Sequence, residues 1–450
     1  MYNFLKKLHL SPYLAVALSF FLLILIGSLF LTLPIAHIDG NWPNYIDSLF
    51  MSFSAVCLTG LSVYNSLIET YSLFGLIVMA VLIQLGGLGF ITIFTFIITL
   101  FRMKINMLDR FVLKEALSAS EYSGVIRLVR KMVFISLAFE ALGVIPFLFS
   151  FIPQFGLLEG LGKAVFHSIT SFNNSGFDVL GSKSLIDYRY DYAVTINTAV
   201  LTTIGGLGFL TISEILKFKR PKMWSSQTKI VLTMTGIILV VMSLSLYLSN
   251  LGSNDPLNPY ESLLIIAYSR TGGFAITEYE DMSQIGIVVM MLTMFIGASP
   301  LSTGGGVKVT TFFVVVLIIF AYIRGKKVHA FKRTYSHKSF IQATVVIFFA
   351  IITILISYVA VVEIEMNNQA INATGWGTNA LLFDVVSAFT TTGASFGVTP
   401  MLSPASKLIL SVLMFIGRVG PITLMATVSD AISREEKLHY RYIESDVIVG

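Results

Sequence analysis

Four stretches decide how this chain folds: Ser54-Ala-Val-Cys-Leu-Thr-Gly60-Leu61, Thr170-Ser-Phe-Asn-Asn-Ser-Gly176-Phe177, Ala267-Tyr-Ser-Arg-Thr-Gly-Gly273-Phe274 and Ser387-Ala-Phe-Thr-Thr-Thr-Gly393-Ala394. Each closes a short apolar run with small polar residues and a glycine. Six residues before that glycine stand Ser54, Thr170, Ala267 and Ser387, and ten residues before it Phe50, Phe166, Leu263 and Phe383. None of these runs is long enough to cross a bilayer, which takes about 20 apolar residues. Non-helical backbone at membrane depth is tolerated only where protein buries it or where it lines a water-filled cavity.

Longer apolar segments flank the four stretches. Spans are expected at about 13–33, 71–101, 131–152, 192–217, 229–249, 283–323, 339–362 and 405–429. Motifs in the second span of each pair repeat as well. Gly86-Gly-Leu-Gly-Phe90 returns as Gly205-Gly-Leu-Gly-Phe209, and Met294-Phe-Ile-Gly297 returns as Met414-Phe-Ile-Gly417. The last pair is offset by 120 residues, as is Gly273 from Gly393. The repeating unit is therefore span, re-entrant helix, glycine loop, span. The expected fold is an all-α integral membrane protein of about eight transmembrane and four re-entrant pore helices, arranged as four pseudo-symmetric repeats around one central pore.

Composition agrees. Of 450 residues, 55% are hydrophobic and 12% charged, with a mean hydropathy of +0.82; soluble domains carry about 25% charge. These values exclude a soluble enzyme, a nucleic-acid binder and a disordered regulator. The single cysteine, Cys57, excludes an intrachain disulfide. Of 30 Lys and Arg, 23 fall on one side of the expected spans. The positive-inside rule then places both termini in the cytoplasm. The opposite side carries Asp47, Glu159, Asp178, Asp255, Glu261, Glu365 and Asp384 among other acids. They are expected to concentrate cations at the mouth.

The segmentation follows: a cytoplasmic N-terminus 1–12, repeat 1 over 13–101, a cytoplasmic loop 102–130, repeat 2 over 131–217, a loop 218–228, repeat 3 over 229–323, a loop 324–338, repeat 4 over 339–429 and a cytoplasmic tail 430–450.

Glycine permits backbone conformations closed to other residues, so four such loops around an axis can turn carbonyl oxygens toward it. Carbonyl oxygens replace the hydration shell of potassium. Short helices aiming their C-termini at the axis favour a cation. The candidate filter residues are Cys57, Leu58, Thr59 and Gly60; Asn173, Asn174, Ser175 and Gly176; Arg270, Thr271, Gly272 and Gly273; and Thr390, Thr391, Thr392 and Gly393. The Gly-Gly-Leu-Gly-Phe segments read more plainly as close helix packing.

With those four motifs in hand, the chain resembles the Trk/Ktr/HKT superfamily of potassium-transporting membrane proteins, and most of all the membrane subunit of bacterial Ktr systems. The resemblance covers essentially the whole chain. It implies potassium preference, since all four filter positions are glycine. Cys57 departs from the threonine usual there, and a thiol is a poor ligand for a hard cation. The resemblance also implies a homodimer in the plasma membrane and a separate cytosolic ring that binds nucleotide, which this chain itself does not hold. The tail Tyr442-Ile-Glu-Ser-Asp-Val-Ile-Val-Gly450 is a candidate contact for that ring, and anionic lipid of the bilayer accounts equally for the basic loops. Potassium is substrate; no covalent cofactor, transition-metal site, catalytic constellation or nucleic-acid partner is expected.

Segment 283–323 is too long for one span. Its middle, Gly297-Ala298-Ser299-Pro300-Leu-Ser302-Thr303-Gly304-Gly305-Gly306-Val-Lys308, breaks a helix through its proline and glycines. It reads as two half-helices joined by a loop below the filter, and the superfamily resemblance implies an intramembrane gate there. The spacing of a phosphate-binding loop is absent. Arg418, near the middle of the last span, is placed to bind carbonyls of that loop, with Lys308 setting local potential. Arg270 reads as a backbone tie behind the filter, and His167 as part of the second re-entrant helix. Glu140, placed in the middle of the third span, reads as a hydrogen-bonded tie. The alternative function, a symporter coupling potassium to sodium or protons, would use it as a proton carrier.

Overall fold

The computed structural model describes residues 12–89, 125–218, 220–253, 255–325, 328–331, 333–366 and 377–421, with single positions at 92, 95, 99, 368 and 423. Lys6 and Lys7, most of the 102–130 loop and the tail with Tyr442 to Gly450 lie outside the described residues.

Among the described residues, four helices are long and apolar enough to cross a membrane: α1 (Pro12–Thr32), α5 (Val125–Phe155), α9 (Ser226–Ser249) and α13 (His337–Glu365). Each opens one repeat. Their outer faces are apolar and uncovered, with Phe149 on α5 76% exposed, the inverse of a water-soluble helix and the pattern of one facing lipid.

Each is followed by a pore helix: α2 (Tyr45–Cys57), α6 (Leu157–Asn173), α10 (Pro259–Ser269) and α14 (Thr378–Thr390). Polar caps begin several of them. Asn44 Oδ1 accepts from the Ile46 amide at 3.0 Å, and Asn258 and Glu261 form a capping box. A short helix α3 (Leu67–Thr70) precedes α4 (Leu73–Leu88). The second helices of the other repeats are α7 (Tyr192–Leu207) with its continuation α8 (Phe209–Lys217), α11 (Gln284–Phe295) with α12 (Val309–Ile323), and α15 (Pro404–Val419).

The expected fourfold plan holds, and its closure is visible in the packing. Each second helix lies against the pore helix of the next repeat: α4 on α6, α7 on α10, α11 on α14, and α15 back on α2. Two two-residue strands, β1 (His329–Ala330) and β2 (Arg333–Thr334), pair as an antiparallel hairpin between α12 and α13.

One expectation needs correcting. Only the sixth span reads as broken from sequence, yet the second helices of all four repeats break at a corresponding depth. Gly89, Gly208 and Gly420 end α4, α7 and α15 with φ of 80°, 85° and 90°, and α8 leaves α7 at 96°. Three residues separate each from Gly86, Gly205 and Gly417; the same step from Gly297 leads to Pro300. A left-handed φ is open to glycine without steric cost, so these glycines are hinges of the backbone as well as packing sites.

Candidate functional site

The four pore helices end toward one another. In three of them the helix is stopped by a left-handed residue two positions before the glycine: Leu58 (φ 61°), Asn174 (φ 56°) and Thr391 (φ 52°). The next amide in each, on Thr59, Ser175 and Thr392, returns to the carbonyl of Ser54, Thr170 and Ser387 at 2.8, 3.0 and 3.0 Å. This is the reverse turn that ordinarily closes a helix C-terminus. In repeats 1 and 4 the side chain joins in: Ser54 Oγ accepts from the Gly60 amide at 3.1 Å, and Ser387 Oγ from the Gly393 amide at 2.9 Å.

Repeat 3 ends differently. Its corresponding position is Ala267, without a hydroxyl, and Thr271 is not left-handed. The amides of Gly272 and Gly273 both return to the Tyr268 carbonyl, at 2.7 and 2.9 Å.

The four glycines then form a ring. All have positive φ: 93° at Gly60, 73° at Gly176, 69° at Gly273 and 92° at Gly393. A methyl on Gly60 would overlap the Ser175 carbonyl oxygen, and one on Gly176 would come to 3.0 Å from that of Gly272. Methyls on Gly273 and Gly393 would overlap the carbonyls of Thr392 and Thr59. Each glycine thus abuts the carbonyl that precedes the next, and the cycle closes. Among the described residues no donor reaches the carbonyls of Thr59, Ser175, Gly272 and Thr392, although all four residues are buried. Buried carbonyls in that condition require a partner. Above the ring lies a cavity of about 380 Å³ lined by all four glycines and by Asn65, Asp178, Ser395 and Thr399.

The repeated glycines of the second helices seat the pore helices. A methyl on Gly86, Gly205 or Gly417 would overlap the carbonyl of Val56, Phe172 or Phe389, each four residues before its filter glycine. In repeat 3 the equivalent Gly297 meets the Gly305 carbonyl instead.

Gly305 belongs to the loop between α11 and α12, which folds back under the ring. The Ser299 and Thr303 amides donate to the Gly206 and Gly205 carbonyls at 3.1 and 3.4 Å, and the Phe209 amide donates to Leu301 O at 2.9 Å. The Val309 amide closes the loop onto Ala298 O at 3.1 Å. Ser302 Oγ donates to Ser299 O at 2.6 Å, and Lys308 Nζ to Gly304 O at 2.7 Å. Pro300 and Gly306 complete the turn, Gly306 with φ 73°. The Arg418 guanidinium donates to the carbonyls of Thr303 and Gly86, and to Gly87 O at 3.4 Å. Arg270 donates to Gly297 O and Gly206 O, both at 3.4 Å.

Glu140 accepts from Ser136 at 2.6 Å, Gln84 at 3.0 Å and Asn173 at 3.1 Å. Asn173 is the last residue of α6, so this network anchors the second pore helix; Gln84 was not singled out by sequence. Cys57 is buried and free. His167 lies buried on α6, its Nε2 3.0 Å from Thr198 Oγ1. Among the described residues no cluster of His, Cys, Asp and Glu has metal-binding geometry.

The acidic mouth is weaker than its residue list suggests. Asp47 is paired with Lys407 at 2.7 Å, Glu159 with Lys163 at 3.1 Å, and Asp255 and Glu261 both with Arg189, at 2.5 and 2.7 Å. Those partners hold Arg189 protonated well above its usual range. Asp384 accepts from Thr399 at 2.7 Å and Ser395 at 2.9 Å, and Glu365 from Ser403 at 2.6 Å. Asp178 does line the cavity, and burial pushes its carboxyl up to about 6.

Comparison with known proteins places this architecture. Residues 11–436 match the family described as TrkH, cation transport protein. The chain is 34% identical to the potassium/sodium uptake protein NtpJ of Enterococcus hirae, over 98% of each chain. It is 33% identical to the Ktr system potassium uptake protein B of Bacillus subtilis, over 99% of this chain and 98% of that one. The crystal structure of the potassium transporter TrkH from Vibrio parahaemolyticus superposes with a TM-score of 0.71 at 19% identity, covering 94% of this chain and 86% of that one.

Proposed function

We propose, from the premise that this chain belongs to the TrkH family of cation transport proteins, that it carries potassium into the cell through one pore on the axis of its four repeats. As in its relatives, the work is transport rather than enzymatic catalysis. The observation that carries the reading is the closed ring of Gly60, Gly176, Gly273 and Gly393, alternating with four buried carbonyls that no donor among the described residues satisfies. Potassium replaces the missing partner: it exchanges its water shell for those oxygens. The pore helices present their partly negative C-terminal ends to the same point, which favours a cation.

The loop 297–308 is the gate of this pore. It lies directly beneath the filter, and Arg418 latches it by tying its Thr303 carbonyl to the end of α4. Lys308 stiffens the loop from within. Opening requires the loop to leave the axis, and the conformational freedom of its glycines, Gly306 among them, allows it. The control comes from a cytosolic ring subunit that binds nucleotide, and the membrane subunit works as a homodimer. It is a multi-pass protein of the bacterial plasma membrane with both termini in the cytoplasm. Two relatives with the Ktr system name support the existence of a partner.

Rubidium uptake into liposomes, with potassium and sodium as competitors, tests the reading. Potassium should suppress rubidium entry at concentrations where sodium does not. Equal suppression by both ions would overturn it. The symporter alternative depends on Glu140. Its carboxylate is held by three donors, so Glu140→Gln is expected to lower stability while leaving uptake independent of a proton gradient. Abolished uptake in a folded variant would favour the carrier.

A further inference from the structure

Three consecutive residues of the gate loop touch three different filter turns. Thr303 reaches repeat 2: Asn174 Nδ2 donates to Thr303 Oγ1 at 2.7 Å, and that hydroxyl donates onward to the Phe172 carbonyl at 3.2 Å. Gly304 lies against repeat 3, where a methyl would come within 2.6 Å of Thr271 Cγ2. Gly305 lies against repeat 4, where a methyl would overlap Thr391 Oγ1. A further bond joins two turns to each other: Thr271 Oγ1 donates to Asn174 Oδ1 at 3.0 Å. Thr303, Asn174 and Thr271 are all buried, none more than 2% exposed.

The bonds form one chain, from Thr271 through the Asn174 amide to Thr303 and the last turn of α6. Every hydroxyl and amide in it has one defined role. The turns of repeats 1 and 4 have no counterpart, because Ser54 and Ser387 hold Gly60 and Gly393 from within their own pore helices. Turns 2 and 3 lack that internal bond: no side-chain acceptor reaches the Gly176 or Gly273 amide among the described residues.

We propose that the gate loop is a positioning element of the filter: the Thr303 hydroxyl, acting through the Asn174 amide and Thr271, sets the separation of the second and third filter turns and with it the discrimination of potassium from sodium. The filter then has two quadrants capped by their own serines and two whose side chains are linked to the gate. Discrimination of cations that differ by fractions of an ångström in radius depends on the placement of these carbonyl dipoles. Withdrawal of Thr303 releases turns 2 and 3 together, so the open gate and the relaxed filter are coupled states. This inference rests on the filter and gate reading above and adds a structural link between the two.

The test compares rubidium and sodium uptake by the full-length chain in liposomes. Thr303→Val keeps the shape of the side chain and removes the hydroxyl. It should lower the rubidium-to-sodium ratio about fivefold, the scale of one lost hydrogen bond. Thr303→Ser should keep the wild-type ratio. Thr271→Val should lower the ratio from the other end of the chain, and the double variant should do no worse than the larger single effect. A Thr303→Val protein that passes more of both ions at an unchanged ratio would overturn the inference while leaving the gate intact. If Thr303→Val fails to elute as folded protein, Thr271→Val decides alone: a lowered ratio supports the link and a wild-type ratio refutes it. A wild-type chain with no rubidium preference overturns the filter reading itself, and the link with it.

Discussion

Repeats 1 and 3 perform the same turn with different parts. In repeat 1 the helix stops at a left-handed Leu58, Ser54 caps Gly60, and Gly86 of the second helix receives the Val56 carbonyl. In repeat 3 the helix does not stop at a left-handed residue two positions before the glycine, Ala267 replaces the serine, and Gly297 receives a carbonyl of the gate loop. Repeat 4 follows repeat 1 at each point, through Thr391, Ser387 and Gly417. One quadrant thus exchanges its serine cap for backbone bonds to the Tyr268 carbonyl where the chain inserts a movable loop. Pseudo-symmetry sets where the backbone goes, and departures from it mark where the molecule is controlled.

The largest effects should separate the two kinds of quadrant. Gly417→Ala and Gly86→Ala drive a methyl into a pore-helix carbonyl and should cost about 1–3 kcal/mol, the range for overpacking, read as a lower melting temperature in detergent. Gly297→Ala meets only the loop, so it should raise ion flux with a smaller loss of melting temperature. Equal destabilisation by all three, with no gain of flux, would erase the distinction. Next in size is Arg418→Ala. It removes the tie between the Thr303 carbonyl and α4, and should raise ungated rubidium flux about tenfold; unchanged flux at normal expression removes Arg418 from the gate. Smaller still are the self-held turns. Ser54→Ala or Ser387→Ala should cost about 1 kcal/mol and lower potassium preference severalfold, whereas Ala267→Ser should change neither, because the Gly273 amide already bonds Tyr268 O.

The smallest effect concerns pH. The Asp178 carboxyl is raised to about 6 by burial. Its charge is therefore present above that pH and lost as pH falls through it, and the burial cost to folding is relieved in the same direction. Cation entry should decline modestly between pH 7 and 5, and Asp178→Asn should flatten the decline. A slope that survives the substitution assigns the dependence to another group.

What the residues reveal by themselves follows physical range. The four filter glycines and the shared 120-residue offset are local patterns, so the fourfold plan is legible. So is the break at Gly297 to Lys308, since Pro300 cannot continue a helix. The hinges at Gly89, Gly208 and Gly420 are not legible, because a glycine in an apolar run reads equally as a packing site and only its φ tells the two apart. The ion pairs at the mouth are hidden for a different reason: Lys407 and Asp47, which pair, lie 360 residues apart in sequence. The Ser, Thr, Ala, Ser series at the sixth position before the glycines was visible, but its meaning needed the Gly60 and Gly393 amides to be seen beside it. Thr303 stood among the loop residues with nothing to mark its hydroxyl as the one that reaches the filter.

Rubidium scatters anomalously, and crystals grown in its salts locate it directly. The account predicts an anomalous peak on the axis, bounded by the carbonyls of residues 59, 175, 272 and 392. Occupied peaks confined to other parts of a protein that still transports rubidium would contradict it.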